Sequence, residues 1–340
     1  MPRVVFRADA SAALGAGHVI RCLALVSAFR RAGWSTGLAA TAETFDVAAR
    51  LPLTEPIERL IVSGRAAREP AELSSYWTRG VDALVVDHYR RDADFEEGCR
   101  IWAKHIVVFD DVAHRVHDAD ILVSAGATTD DAYRPLVPEN CCILVGARHA
   151  VIRPEFLEAR RRALARRSAR PVERILVSFG LSELGQKTKL ALDALEMVDY
   201  RGAVDVVMPS GGSSAARCKA AVTFHDAGAN MPKLMITADL AIGAAGGTAW
   251  ERCHLGLPTV FLIDGENQCG IAEAIADAGA GTHAGSADAM TPERLASAIA
   301  GLIADAEGCL RMAKAAAELV DGRGAERVVD VLQQTGAHDG

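Results

Sequence analysis

The sequence predicts a two-domain α/β protein, each half a doubly wound unit built on a parallel sheet. Three observations carry the prediction. The chain has 340 residues, half of them hydrophobic, and domains of roughly 100–200 residues are usual, so two cores are expected. Short apolar runs alternate with longer segments of helical periodicity. The runs are continuous in Val, Ile and Leu, the pattern of strands covered by helices on both faces.

In the first half the runs are Val4–Phe6, Ala83–Val86, Ile106–Phe109, Ile121–Val123 and Cys142–Val145. In the second they are Ile175–Phe179, Val204–Met208, Ala221–Phe224, Leu240–Ile242 and Thr259–Ile263. Between them, Val19, Leu23, Val26 and Phe29 recur at helical steps before Gly33, a C-cap glycine, and Ile271, Ala274, Ile275 and Ala278 do so before Gly279. Strand and helix in repetition mean a doubly wound arrangement. An Arg- and Ala-rich stretch without a strand divides the chain into an N-terminal domain over 1–156, a linker over 157–170 and a C-terminal domain over 171–340. Helices over Pro292–Ala304, Gly308–Val320 and Ala325–Gln333 close the chain, and the last of them has the option of returning to the first domain.

Composition excludes several classes. The net charge of −7 argues against a nucleic-acid partner, which needs a basic face. Arg160–Arg162 with Arg166 and Arg167 read as a solvated helix or linker face rather than a binding patch. The 8 cysteines show no CxxC spacing and no paired Cys/His cluster, so no metal is expected, and reduced thiols in the cytosol are the simplest reading. Met1 leads directly into a strand with no core of signal-peptide length, and no run is long enough for a membrane span. A cytoplasmic location follows as an expectation.

Two constellations fall where parallel sheets bind ligands, at the carboxyl ends of strands. The first runs from Asp9 through Gly15 and Gly17 to His18, where a helix begins. The glycines let backbone approach a ligand. The helix field there disfavours an imidazolium, so a neutral His18 is a candidate general base. Asp9 is a candidate to orient that ring or to bind a sugar hydroxyl. The alternative is a glycine loop whose histidine bonds only locally.

The second runs from Asp239 through Gly246-Gly247-Thr248 to Glu251. A strand feeding a Gly-Gly-Thr turn that opens a helix is an anion site, fit for a diphosphate. Thr248 and Glu251 also have capping-box spacing, so Glu251 either caps its helix or accepts two ribose hydroxyls. Asn267 and Gln268 follow the next strand and suit sugar or phosphate recognition, unless Asn267 is a helix N-cap. Gly180, in the first βα turn of this half, could face the diphosphate or the sugar.

The run from Phe6-Arg7-Ala8-Asp9 to Gly17-His18-Val19-Ile20-Arg21-Cys22-Leu23 resembles the signature of the UDP-2,4-diacetamido-2,4,6-trideoxy-β-L-altropyranose hydrolases of pseudaminic acid biosynthesis. Val86-Asp87-His88-Tyr89, Phe109-Asp110-Asp111 and Ile152-Arg153-Pro154-Glu155-Phe156 are similar to further landmarks of that family. The Gly246–Glu251 turn with Asn267 and Gln268 also resembles the UDP site of MurG-type glycosyltransferases. The resemblance implies two Rossmann-like domains in a GT-B-type architecture with the active site in the cleft between them, and inverting hydrolysis at the anomeric carbon, releasing UDP and free sugar for the glycosylation of flagellin or other surface glycans. It implies His18 as base, Tyr89 near the sugar, Gly15, Gly17 and Arg21 against the substrate, and Gly247 and Thr248 on the phosphates. It puts Glu251 on the ribose and Asn230-Met231 at the uracil, and it implies no cofactor. Other enzymes of the same sugar pathway are possible partners. The chain departs from the family at Leu181 and Glu183, where a glycine and an aspartate are usual, which bears on the choice of sugar. The rival readings are a glycosyltransferase using a hydroxyl acceptor and a non-catalytic UDP-sugar-binding protein.

Overall fold

The computed structural model describes residues 1–11, 14–49, 57–180, 185–209, 218–226 and 228–338; Leu181 and Glu183 lie outside them. By its internal contacts the chain forms two units, residues 1–153 with 323–340, and residues 154–322.

The strands of the first unit are β1 (Arg3–Ala8), β2 (Ser35–Ala40), β3 (Glu58–Ile61), β4 (Val81–Asp87), β5 (Ala103–Phe109), β6 (Ile121–Ser124) and β7 (Cys142–Val145). They pair in parallel in the order β3-β2-β1-β4-β5-β6-β7. Its helices are α1 (Gly17–Arg31), α2 (Ala42–Ala48), α3 (Glu69–Tyr76) and α4 (Ala93–Cys99). The second unit begins with α5 (Pro154–Arg166), then β8 (Arg174–Ser178), α6 (Gln186–Met197), β9 (Ala203–Val207), β10 (Ala221–His225) and α7 (Met231–Thr237). It continues with β11 (Leu240–Ala244), α8 (Gly247–His254), β12 (Thr259–Ile263), α9 (Cys269–Asp277), β13 (Thr282–Ser286), α10 (Pro292–Ala304) and α11 (Ala306–Leu319). Its six strands run in the order β10-β9-β8-β11-β12-β13. The last helix, α12 (Gly324–His338), belongs to the first unit.

Core packing accounts for the continuous apolar runs. Val4 and Phe6 point to one face of the first sheet, where they meet Leu25 and Phe29 of α1 and Val328 and Leu332 of α12. Val5 points to the other face, with Leu84, Ile106, Leu73 and Trp102. The option that the terminal helix returns is thus the arrangement found, and the apolar face of α12 supplies the reason.

The expected linker is corrected. Residues 157–166 continue α5, which packs on α7 and α8 inside the second unit. Arg161, Arg162 and Arg166 are exposed, as a solvated face requires, but Arg160 and, just beyond the helix, Arg167 are not. Arg167 donates to the carbonyls of Met235, Ala238 and Leu255. Arg160 donates to the carbonyls of His254, Ala317 and Val320. These carbonyls end α7, α8 and α11, where a helix leaves acceptors without intrahelical donors. A guanidinium with its fan of N–H groups satisfies several at once.

Each sheet has one switch point, where the strand order reverses direction: between β1 and β4 in the first unit and between β8 and β11 in the second. Ligands of doubly wound sheets bind outside the carboxyl ends of the strands at such points.

Candidate functional site

The loop after β1 returns through a bridge between Ser11 and Gly15. Gly15 has φ +71°, a conformation that favours glycine, and a Cβ there or at Gly17 would meet nothing within 4 Å. Open space therefore borders the turn that starts α1. His18 is the second residue of α1 and is 8% exposed.

His18 Nδ1 lies 2.5 Å from Oδ1 of Asp87, the last residue of β4. The aspartate is fully buried, and Arg21 donates to both of its oxygens at 2.6 and 2.7 Å. Burial alone would raise the Asp87 carboxyl; the charges and hydrogen bonds of Arg21 and His18 reverse this and hold it well below the usual carboxylate range. An ionised Asp87 only accepts, so Nδ1 carries the hydrogen and donates it to the carboxylate, which leaves Nε2 as the nitrogen able to take a proton from a ligand or water. The Tyr89 ring meets the imidazole edge-on, with centroids 4.5 Å apart and planes at 83°.

The expectation for Asp9 is corrected here. Asp9 is buried and accepts from Arg7, from His88 Nε2 at 3.0 Å, and from the N–H of Thr41 and the hydroxyl of Thr44. These partners take up its oxygens, and the carboxylate that orients His18 is Asp87. Arg21, expected against the substrate, spans Asp87 and Asp111 and stacks on Phe109. Beside Asp9, Arg7 and Arg91 both fork onto Glu69, all three buried, and so tie β1 to α3 and to the loop after β4. A third knot surrounds His117, whose two nitrogens meet Glu96 at 2.8 Å and Asp110 at 3.2 Å. Burial alone would lower His117; its hydrogen bonds to the carboxylates of Asp110 and Glu96 overcome this and raise the ring to about 9.

The switch point of the second unit is built differently. Gly246 is the N-cap of α8, in extended conformation, with no side chain capping the helix and no acid in its first turn. The helix N–H groups and positive field are thus left for a ligand. A Cβ on Gly247 would meet nothing within 4 Å. Because Gly246 is the N-cap, the Thr248–Glu251 capping box does not form. Glu251 stands one helical turn beyond Gly247, on the same face, and is 5% exposed.

Asn267 and Gln268 form a short 3₁₀ turn after β12, and the N-cap of α9 is Gln268, so Asn267 does not cap it. Gln268 accepts from the N–H of Asp264, and its amide nitrogen lies 3.6 Å from where a Cβ on Gly246 would stand. Gly180 is exposed with φ +100°, and open space lies beside it. Asn230 caps α7 by accepting from the N–H of Lys233 at 3.0 Å, and Met231 is the first residue of that helix. Lys187, at the start of α6, pairs with Asp264 at 2.7 Å. Sequence reasoning missed Lys187, although a basic residue just after a βα turn is a readable signal.

A hollow of about 770 Å³ lies at the amino edge of the first sheet, lined by Arg3, Trp77, Trp102 and Lys104 among others. Arg3 and Lys104 pair there with Glu58 and Asp82, and the edge is the wrong one for this architecture. Among the described residues no group of His, Cys, Asp and Glu could hold a metal ion. No helix of the described residues is long and apolar enough to cross a membrane.

Two Rossmann-like units, each a doubly wound parallel sheet with one switch point, give a GT-B architecture. Comparison with known proteins agrees. The family model of the glycosyltransferase family 28 C-terminal domain matches residues 206–332. MurG of Acinetobacter baumannii superposes with a TM-score of 0.68 at 19% identity, over 98% of this chain and all of that one. UDP-GlcNAc 2-epimerase of Neisseria meningitidis, solved with UDP-GlcNAc, does so with a TM-score of 0.62 at 14% identity, over 98% of this chain and 99% of the other. Among curated proteins, the uncharacterized protein MJ1062 of Methanocaldococcus jannaschii is 24% identical over 78% of this chain, which spans 56% of the relative's length. The spore coat polysaccharide biosynthesis protein SpsG of Bacillus subtilis is 27% identical over 67% of this chain and 69% of its own.

Proposed function

We propose that the chain hydrolyses a UDP-activated 2,4-diacetamido-2,4,6-trideoxyhexose at the anomeric C1–O bond with inversion, in the manner of pseudaminic acid biosynthesis. The observation that carries the reading is the buried His18–Asp87 pair beside open space at a switch point. In this reaction Nε2 of His18 takes a proton from water, and the water oxygen bonds to C1 as the C1–O bond breaks. The electron pair of that bond leaves on the β-phosphate oxygen of UDP. Asp87 stabilises the imidazolium that forms. UDP is a good leaving group, so the demand falls on positioning the water and stabilising the diphosphate.

The second unit supplies the binding half: Gly247 and Thr248 for the diphosphate, Glu251 for the ribose, and Gln268 and Asn267 beside them. Asn230 and Met231 are assigned to the uracil, through backbone and the Met231 side chain, since the Asn230 amide is used in capping. Tyr89 and Gly15 border the sugar. The family 28 match, the MurG-like fold and the kinship with SpsG support a nucleotide-sugar substrate. They equally support a second reading, a glycosyltransferase with a sugar hydroxyl in place of water. Mere binding would not need an oriented base.

The test is a pair of variants. His18→Ala is expected to leave the UDP dissociation constant unchanged and to lower turnover by ~10²–10⁴-fold. Glu251→Ala is expected to weaken UDP roughly tenfold. Full turnover in the first variant removes the base; unchanged UDP binding in the second removes the ribose role.

A further inference from the structure

Beneath the glycine turn of the second unit lies a guanidinium that the chemistry above does not use. Arg252, on α8, is only 2% exposed. One of its terminal nitrogens donates to the Ala244 carbonyl at 2.6 Å. The other lies 2.9 Å from where a Cβ on Gly243 would stand, so a glycine at 243 is what lets the group lie over the end of β11. Gly243 is the register partner of Ser178 in β8, which puts the charge at the switch point. Its Nε has no hydrogen-bond partner, and among the described residues no carboxylate is ion-paired with it. Arg7, equally buried, is by contrast forked onto Glu69 and paired with Asp9. Burial lowers Arg252 to about 10, with Cys253 and then Glu251 pulling the other way through space, so it stays charged at neutral pH.

A buried charge without its counter-ion is expensive to keep. We propose that Arg252 is the built-in counter-charge of a nucleoside diphosphate seated on the Gly246–Thr248 turn, so that the ligand's phosphates complete an ion pair the folded protein leaves open. The inference rests on the assignment of the diphosphate to that turn. The phosphates need not touch the guanidinium, because Coulomb attraction is weakly screened in a low-dielectric interior. The arrangement makes Arg252 a determinant of specificity for the charged part of the ligand over the nucleoside.

It also gives stability and affinity opposite signs, which a merely structural arginine would not. The test uses the full chain as wild type, Arg252→Met and Arg252→Lys. Thermal melting is followed without ligand, and uridine and UDP are titrated separately. Arg252→Met is expected to melt higher than the wild type without ligand, to bind UDP about tenfold or more weakly, and to bind uridine as the wild type does. Arg252→Lys, which keeps the charge, is expected to retain most of the preference for UDP. An Arg252→Met protein that melts lower or fails to fold overturns the proposal, as does one whose UDP affinity is unchanged. A wild type that binds no UDP overturns the diphosphate assignment as well.

Discussion

The two switch points use the same topology to opposite electrostatic ends. At the carboxyl edge of the first unit, acids and bases are buried or half-buried and paired with one another: His18 with Asp87, Arg21 with Asp87 and Asp111, Arg7 and Arg91 with Glu69, His117 with Glu96 and Asp110. At the corresponding edge of the second unit, an uncapped helix start and the Arg252 guanidinium present positive charge without a paired carboxylate. A saturated network holds a ring in one tautomer and orientation, which suits chemistry. An unsaturated one waits for an anion, which suits binding. Under the proposed function the units divide the labour, the first acting as acid–base machine and the second as nucleotide holder.

The sharpest way to break that comparison is Asp87→Asn. It removes the negative charge that stabilises the imidazolium and leaves one amide oxygen where Nδ1–H and Arg21 had two carboxylate oxygens, while Arg21 keeps its bonds to Asp111. Turnover is expected to fall by ~10²-fold or more, with UDP affinity unchanged and the pH profile of turnover altered. A parallel loss of UDP affinity would mean that the first network also serves binding. A smaller effect is expected from pH. His117 is raised from its ordinary value to about 9 in the folded chain. Its stabilisation is therefore fully present below the unfolded-state value of about 6.5 and is lost as pH rises through 9. Denaturant titrations at pH 6 and pH 9.5 are expected to differ by on the order of 1–3 kcal/mol, and His117→Gln to flatten the difference. A difference that survives this substitution would shift the cause to another group.

Much of the architecture is legible in the sequence because apolar continuity is a strong signal. The strands it hides have a physical excuse. Residues 35–40 read Ser-Thr-Gly-Leu-Ala-Ala, and small side chains give little apolar contrast although the strand is nearly all buried. β3 and β13 are edge strands, mostly exposed or half-buried, and β13 is interrupted by a register shift. At the site, the glycine turns and His18 stand out by local pattern. The partner of His18 does not, because Asp87 lies 69 residues away and meets it only through the pairing of β1 with β4. Asp9, nearer in sequence, is claimed instead by Arg7 and His88. Arg160 and Arg167 mislead in the same way, since the carbonyls they satisfy come from the ends of α7, α8 and α11, remote in the chain.

The most direct test of this division of labour is the fate of the oxygen atom. UDP-linked 2,4-diacetamido-2,4,6-trideoxy sugars are incubated with the chain in water labelled with heavy oxygen, and the products are read by NMR and mass spectrometry. Activation of water at His18 predicts release of UDP without an added acceptor, the label on C1 of a free sugar of inverted anomeric configuration, and none on the phosphate. Label on the diphosphate, or release that begins only when a sugar acceptor is supplied, would contradict it.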